Sequence, residues 1–326
     1  MNAAARPDRP ILAVVGPTAT GKSGLAVALA LRLGGEVVNA DAMALYRGMD
    51  IGTAKLPVAQ RHGIPHHLLD VLDVQEEASV AAYQQAARAE LAASSARGRQ
   101  PVLAGGSGLY VRAALDRLDI PPTDPDVRAA LEDELDRVGV DALHTRLGRV
   151  DPVAAQHIEP RNARRIVRAL EVVELTGRPF SAVMPLREHV QPTVLIGLAL
   201  ERATLDERID ARVAWMWRAG LVDEVDGLLA HGLASGRTAR TALGYAQAIA
   251  QLAGELTPAQ AQAQTAAATR RFARRQLSWF RADPRVHWVA ADAPDLLDRA
   301  LALVTDPAPI KDPAPVKDPA PIKDNG

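Results

Sequence analysis

The chain has 326 residues, 48% hydrophobic and 24% charged, an ordinary globular balance with material for more than one domain. It has no cysteine, which excludes disulfides, cysteine zinc sites, iron–sulfur clusters and thiol nucleophiles. A net charge of −1 excludes a polycation that coats nucleic acid, and no apolar run approaches the ~20 residues of a membrane helix. Met1–Pro10 lacks an apolar signal core, so a flexible N-terminus and a soluble cytoplasmic protein are expected.

Ile11–Val15 reads as an apolar strand entering a glycine turn, followed by a helix over Gly21–Leu33. Further strands are predicted at Val37–Ala40, His67–Val71 and Val102–Ala104, with a helix over Ser79–Arg97. Such alternation with short glycine connections predicts an α/β fold, a P-loop-type parallel sheet flanked by helices, with sites at the carboxyl ends of the strands. From Asp119 the pattern turns helical, with candidates at Pro125–Val138, Val140–Leu147, Pro152–His157 and Pro160–Thr176. Thr193–Leu200 returns to strand, and helices fill Thr204–Leu252 and Thr257–Arg281. The expected organisation is a core of residues 11–118 and 192–304 interrupted by an all-helical insertion, 119–191. The tail, 305–326, spells DPAPIK, DPAPVK and DPAPIK, a proline repeat expected to be disordered.

Gly16-Pro17-Thr18-Ala19-Thr20-Gly21-Lys22-Ser23 is G-x-x-x-x-G-K-S between a strand and a helix. Backbone amides and the helix N-terminus of such a loop cradle phosphate oxygens, the lysine adds charge and the hydroxyl can ligate magnesium. Lysine is scarce: only Lys22 and Lys55 precede the tail repeats, against arginine almost everywhere else. No strand supplies an unambiguous magnesium aspartate; Asp41 and Asp70 both lie near strand ends. A second glycine cluster, Gly105-Gly106-Ser107-Gly108, closes the fourth strand and fits either a ligand approaching the backbone or a plain turn. His66 and His67 are adjacent on a strand and read as packing residues, not metal ligands.

Together GPTATGKS at 16–23, NAD at 39–41, LYRGMDIGTAK at 45–55, GIPHHLLDV at 63–71, GGSGLYVRA at 105–113 and TRRFARRQLSWFR at 269–281 resemble the tRNA dimethylallyltransferases. The resemblance implies transfer of a dimethylallyl group from dimethylallyl diphosphate to N6 of the adenosine 3′ to the anticodon, releasing diphosphate. Residues 16–23 would then hold the diphosphate, with Mg²⁺ at Ser23 and with Arg208 and Arg212 extending the clamp. Asp41 would be the general base, and Ser107, where the family usually has threonine, would position the amine. Contact with the anticodon stem-loop is implied for Asp41, Ala42, Met43, Ala44, Ser107, Arg128, Arg164, Arg165 and Arg168, and for Thr241, Gly244 and Tyr245. Ala42, Ala44 and Thr241 depart from the family's usual residues, which bears on RNA preference. Lys55 would contact phosphate or structure its loop.

Two arginine faces point to RNA apart from the family. Arg161, Arg164, Arg165 and Arg168 fall within a ~100° helical arc, and Arg270, Arg271, Arg274, Arg275 and Arg281 within ~140°, with Arg270 and Arg274 as RNA contacts. The same loop would serve a nucleotide or metabolite kinase holding ATP, and the same arginines a nucleotide-dependent RNA-binding protein without chemistry. A monomer is the simplest expectation for an enzyme whose partner is a large RNA.

Overall fold

The computed structural model describes residues 9–183 and 187–305; the proposed N-terminal segment, apart from Arg9 and Pro10, and the repeat tail from Asp306 lie outside them. In chain order the regular elements begin with β1 (Ile11–Val15), α1 (Lys22–Leu33), β2 (Gly35–Asn39), β3 (His66–His67), α2 (Val80–Ala96), β4 (Gln100–Ala104) and α3 (Gly108–Leu115). Four helices follow: α4 (Pro125–Val138), α5 (Val140–Val150), α6 (Pro152–His157) and α7 (Ala163–Thr176). The chain continues through β5 (Thr193–Ala199), α8 (Arg202–Arg218), α9 (Leu221–Ala230), α10 (Tyr245–Leu252), α11 (Pro258–Arg281), β6 (Val286–Ala290) and α12 (Leu296–Thr305).

The six strands form one sheet in the order β3-β2-β4-β1-β5-β6, and every pairing is parallel. All five residues of β1 are buried, as the unbroken apolar run ILAVV requires of a central parallel strand covered on both faces. On one face Leu12, Val14, Ile196 and Leu198 pack with Leu25 and Leu29 of α1 and with Ala300 and Leu303 of α12. Helix α2 covers β2 and β4.

The expected third strand is cut to two residues. Leu68 and Asp70 have φ of 59° and 57°, and left-handed backbone cannot continue a strand. Neither β6 nor α12 was anticipated; β6 extends the sheet beyond β5, with Gly197 opposite Trp288. Helix α7 starts three residues later than expected, where the Asn162 side chain accepts the Arg165 N–H and caps it.

The described residues divide into two compact units, one of 9–115 and 191–305 and the other within 116–190. The second is wholly helical in its regular elements and has its own core of Leu131, Leu143, Leu147, Ile158, Ile166 and Leu170. Within it Glu171 is fully buried and accepts from Arg128 Nη2 at 2.6 Å, Arg168 Nη1 at 2.8 Å, Thr123 Oγ1 at 2.6 Å and the Asp124 N–H at 3.1 Å. Burial alone would raise this carboxyl, but the two guanidiniums and the hydroxyl outweigh it and hold its pKa at about 2.

This buried ion cluster yields a prediction. Because the folded pKa lies below the unfolded value of 4.5, its contribution is complete above pH 4.5 and is lost as pH falls toward about 2. Glu171→Ala should destabilise the helical unit by about 1–3 kcal/mol, since it removes the acceptor of four hydrogen bonds while Arg168 keeps the Pro121 and Pro122 carbonyls and both guanidiniums keep contact with solvent. Urea unfolding followed by circular dichroism measures this, and the variant should lose the acid-sensitive part of the wild-type stability curve.

Candidate active site

The carboxyl ends of β1, β2 and β4 are neighbours in the sheet, and the predicted motifs leave from all three. After β1 the loop turns through positive φ at Gly16, Ala19 and Gly21 (130°, 63° and 87°). A Cβ on residue 16 would lie 2.6 Å from the Leu198 carbonyl oxygen of β5, so glycine is required there on both counts. Lys22 Nζ donates to the Pro17 carbonyl at 2.6 Å, and Thr20 Oγ1 to the same oxygen at 2.8 Å. Arg212 of α8 donates to Thr18 Oγ1 at 2.7 Å. Burial lowers the Lys22 pKa to about 8; Asp41 opposes the shift and Arg212 reinforces it.

After β2, the Asn39 amide ties down the turn. Its Oδ1 accepts the Asp41 N–H at 2.9 Å, and its Nδ2 donates to the carbonyls of Asp41 and Leu68, both at 2.9 Å. Asp41 uses Oδ1 to accept the Met43 N–H at 2.9 Å, at the start of the short 3-10 turn Met43–Leu45. Burial lowers the pKa of Arg212 as it does that of Lys22, and the nearby Asp41 charge partly opposes both shifts. Ser107, after β4, accepts the Ala42 N–H at 3.3 Å, so hydroxyl and carboxylate belong to one cluster.

The glycines around Ser107 have a different cause from ligand approach. A Cβ on Gly105 would lie 2.2 Å from the Ala40 carbonyl, one on Gly106 2.3 Å from Gln276 Nε2, and one on Gly108 2.2 Å from the Trp279 indole. The loop is glycine-rich because protein packs against it on three sides, which leaves Ser107 as its one side chain.

The loop after β1, together with Asn39, Asp41, Gly105 and Gln276, lines a cavity of about 240 Å³, and Ser107 lies outside that lining. At one end stand Thr18, Gly21, Lys22, Ser23 and Arg212; Asn39 and Asp41 lie along it, and Val37, Ala44, Leu56, Leu69 and Ala104 give it an apolar stretch. Arg208 is exposed and lies outside this lining, one turn before Arg212 on α8. Lys55 also reaches the cavity but has no spare donor. Its ammonium bonds the Tyr46 carbonyl at 2.8 Å and Asp50 and Asp70 at 2.6 Å each, a loop fastening and not a phosphate contact.

The other expected residues separate into free and committed ones. Arg164, Arg165 and Arg274 are exposed. Arg128 and Arg168 are held by Glu171, and Arg270 pairs with Asp210. Ala42 and Met43 are partly exposed while Ala44 is buried. Thr241 is exposed and Gly244 begins α10, but Tyr245 is fully buried with its hydroxyl 2.5 Å from Glu224, which removes its side chain from any RNA-facing surface. His67 sits between Glu36 and Glu90, and the described residues contain no group of three metal-ligating side chains.

Sequence reasoning missed Gln276. It accepts the Thr18 N–H at 2.8 Å and donates to the Gly106 carbonyl at 2.9 Å. The available signal was a polar residue on the buried stripe of α11, between Ala273 and Phe280.

A family model described as IPP transferase matches residues 44–283. The chain belongs to this family. A tRNA dimethylallyltransferase of Nocardioides sp. is 60% identical over 300 residues, 91% of this chain and 97% of that one. One from Thermobifida fusca is 61% identical over 91% of this chain and 94% of its own length. The crystal structure of the full-length tRNA isopentenylpyrophosphate transferase from Bacillus halodurans is 40% identical and superposes with a TM-score of 0.66, covering 91% of this chain and 95% of that one. The parallel sheet and its flanking helices are therefore the architecture of IPP transferases.

The close approach at Gly105 is testable without any substrate. Gly105→Ala should cost about 1–3 kcal/mol or more, because the Ala40 backbone cannot yield as a flexible side chain would. Gly24→Ala, in α1 with open space around its Cβ, is the control and should be neutral or stabilising by up to ~1 kcal/mol. Parallel urea titrations compare the two.

Proposed function

We propose that this chain transfers the dimethylallyl group of dimethylallyl diphosphate to N6 of the adenosine 3′ to the anticodon in tRNA. The observation that carries the reading is the shared cavity: a loop of phosphate-binding sequence with Lys22 and Arg212, an apolar stretch, and the Asp41 carboxylate alongside, with Ser107 just outside the lining and bonded to the Ala42 N–H. The diphosphate sits on residues 16–23 and the five-carbon group lies along Val37, Leu56 and Leu69. The adenine amine enters beside Asp41 and Ser107. Its nitrogen lone pair attacks C1 of the dimethylallyl group, the C1–O bond breaks, and the bonding pair leaves on the diphosphate. The departing N6 proton goes to the Asp41 carboxylate, whose second oxygen is not spent on the Met43 N–H. Lys22 and Arg212 stabilise charge growing on the leaving oxygen.

The Ser23 hydroxyl lines the cavity and would supply one oxygen to a magnesium ion that takes the rest of its shell from diphosphate and water. When bound, that ion would neutralise diphosphate charge and make it a better leaving group. The exposed Arg164 and Arg165 on α7, and Arg271, Arg274 and Arg275 on α11, are the proposed phosphate-backbone contacts, since none of them is committed to an internal acid as Arg128 and Arg168 are. A tRNA substrate sets the reaction in the cytoplasm, and a monomer contains every residue of the cavity.

The deciding experiment follows label from dimethylallyl diphosphate into tRNA with Mg²⁺, beside an ATP-consumption control. Label in tRNA without ATP is expected; ATP turnover without label would replace this reading with a kinase. Asp41→Asn should lower transfer by about 10²–10⁴-fold while tRNA binding stays within about threefold. Equal loss of both, or of neither, would remove Asp41 as the base.

Lys22 gives a separate test. With its pKa at about 8 in the free protein, Lys22 loses its proton above that pH, and a bound diphosphate must draw one back. Calorimetry at pH 9 in buffers of different ionisation enthalpy should detect proton uptake on diphosphate binding, and affinity should fall as pH rises through 8. Lys22→Met should abolish that uptake.

A further inference from the structure

Beyond their last shared ladder bond, where the Gly105 N–H meets the Val14 carbonyl at 3.1 Å, the loops leaving β1 and β4 are no longer held by the sheet. One side chain bonds both. The Gln276 amide is 5% exposed, takes the Thr18 N–H on its oxygen and gives its nitrogen to the Gly106 carbonyl. The orientation of that amide is fixed by the chemistry at its ends, a donor at Thr18 and an acceptor at Gly106. A Cβ on Gly106 would stand 2.3 Å from the amide nitrogen, so a side chain there would push Gln276 out of the bridge. The bonds run on in both directions. Thr18 also accepts from Arg212, and Ser107, next to Gly106, bonds the backbone of Ala40 and Ala42 on either side of Asp41.

We propose that Gln276 is a positioning residue that sets the spacing between the leaving-group loop and the Asp41–Ser107 cluster. This rests on the transfer reading above. Displacement at a carbon requires nucleophile and leaving group in line, with the reacting atoms about 3–3.5 Å apart, and a ~1 Å misplacement can cost about 10²-fold. Each substrate is gripped by its own loop, so a loosened bridge leaves each grip intact and spoils their alignment. The effect therefore falls on kcat and spares KM.

The test uses two variants of the full-length chain. Gln276→Met keeps the volume and loses both bonds; kcat should drop about 30–100-fold, with KM for dimethylallyl diphosphate and Kd for tRNA within about threefold. Gln276→Glu carries a readout that loss of packing would not produce. A protonated carboxyl offers one donor and one acceptor, as the amide does, whereas the ionised form sets a second acceptor against the Gly106 carbonyl. Its kcat, as a fraction of the wild-type value at each pH, should rise at least tenfold between pH 8 and pH 5.5. A flat fraction, or unchanged kcat in Gln276→Met, overturns the proposal, and the pH-dependent variant decides it even if Gln276→Met fails to fold. Wild-type protein that transfers no label would sink the transfer reading instead, so the two failures are told apart.

Discussion

The approach of the Gly105 backbone to the Ala40 carbonyl is the constraint on which the site depends. Strands β2 and β4 are hydrogen-bonded neighbours as far as Asn39 and Ala104, and a parallel ladder alone would let their loops diverge afterwards. Here the contact continues past the ladder: Ala40 N–H donates to the Ala104 carbonyl at 2.8 Å, and the Ala40 carbonyl accepts the Ser107 N–H at 3.3 Å. Residue 105 has room for hydrogen and nothing larger. Asp41 and Ser107, sixty-six positions apart, become one cluster because a missing Cβ lets two backbones touch.

Charge follows the same logic of enclosure. Lys22 and Arg212 share a small cavity, and burial disfavours the charged form of each; Asp41 is the group that partly offsets this. A protein that gathers two cations where water is scarce pays in stability for a field aimed at one place. A di-anionic or tri-anionic ligand relieves that field, which is why the phosphate loop and Asp41 make chemical sense together. The buried cluster around Glu171 shows the opposite arrangement. There the acid is the enclosed partner and the arginines are its supports, every acceptor site is filled, and nothing is left over to bind a ligand.

Much of the fold was legible in the sequence because its signals are local. An all-apolar strand running into G-x-x-x-x-G-K-S specifies strand, turn and helix by itself, and the apolar stripe of residues 163–176 specifies α7. The shortening of β3 was not legible, because left-handed backbone at Leu68 and Asp70 leaves no trace in residue type. Asn39 holds Leu68 by its carbonyl, and Lys55 holds Asp70 by its carboxylate, so that turn is maintained from two other segments. The glycine cluster was legible as a close approach but not as to what; Gln276 and Trp279 lie some 170 residues away and reach it only through the packing of α11.

Arginine shows most clearly where residue pattern stops and structure begins. Helical winding places Arg164, Arg165 and Arg168 on one face, and for that face the sequence supports one role. The structure gives two, because Glu171 stands one turn after Arg168 on the side turned toward the core and draws it in with Arg128. Arg164 and Arg165, one turn earlier, have no such acid behind them and remain in solvent. The same division recurs on α11, where Arg270 is taken by Asp210 of α8 and Arg274 is left outside. An arginine face is thus part scaffold and part surface. On α7 the buried Glu171 decides which residues fall to each, because a buried carboxylate must be paired whereas an exposed guanidinium need not be, while on α11 Asp210 is itself exposed and its pair with Arg270 lies at the surface.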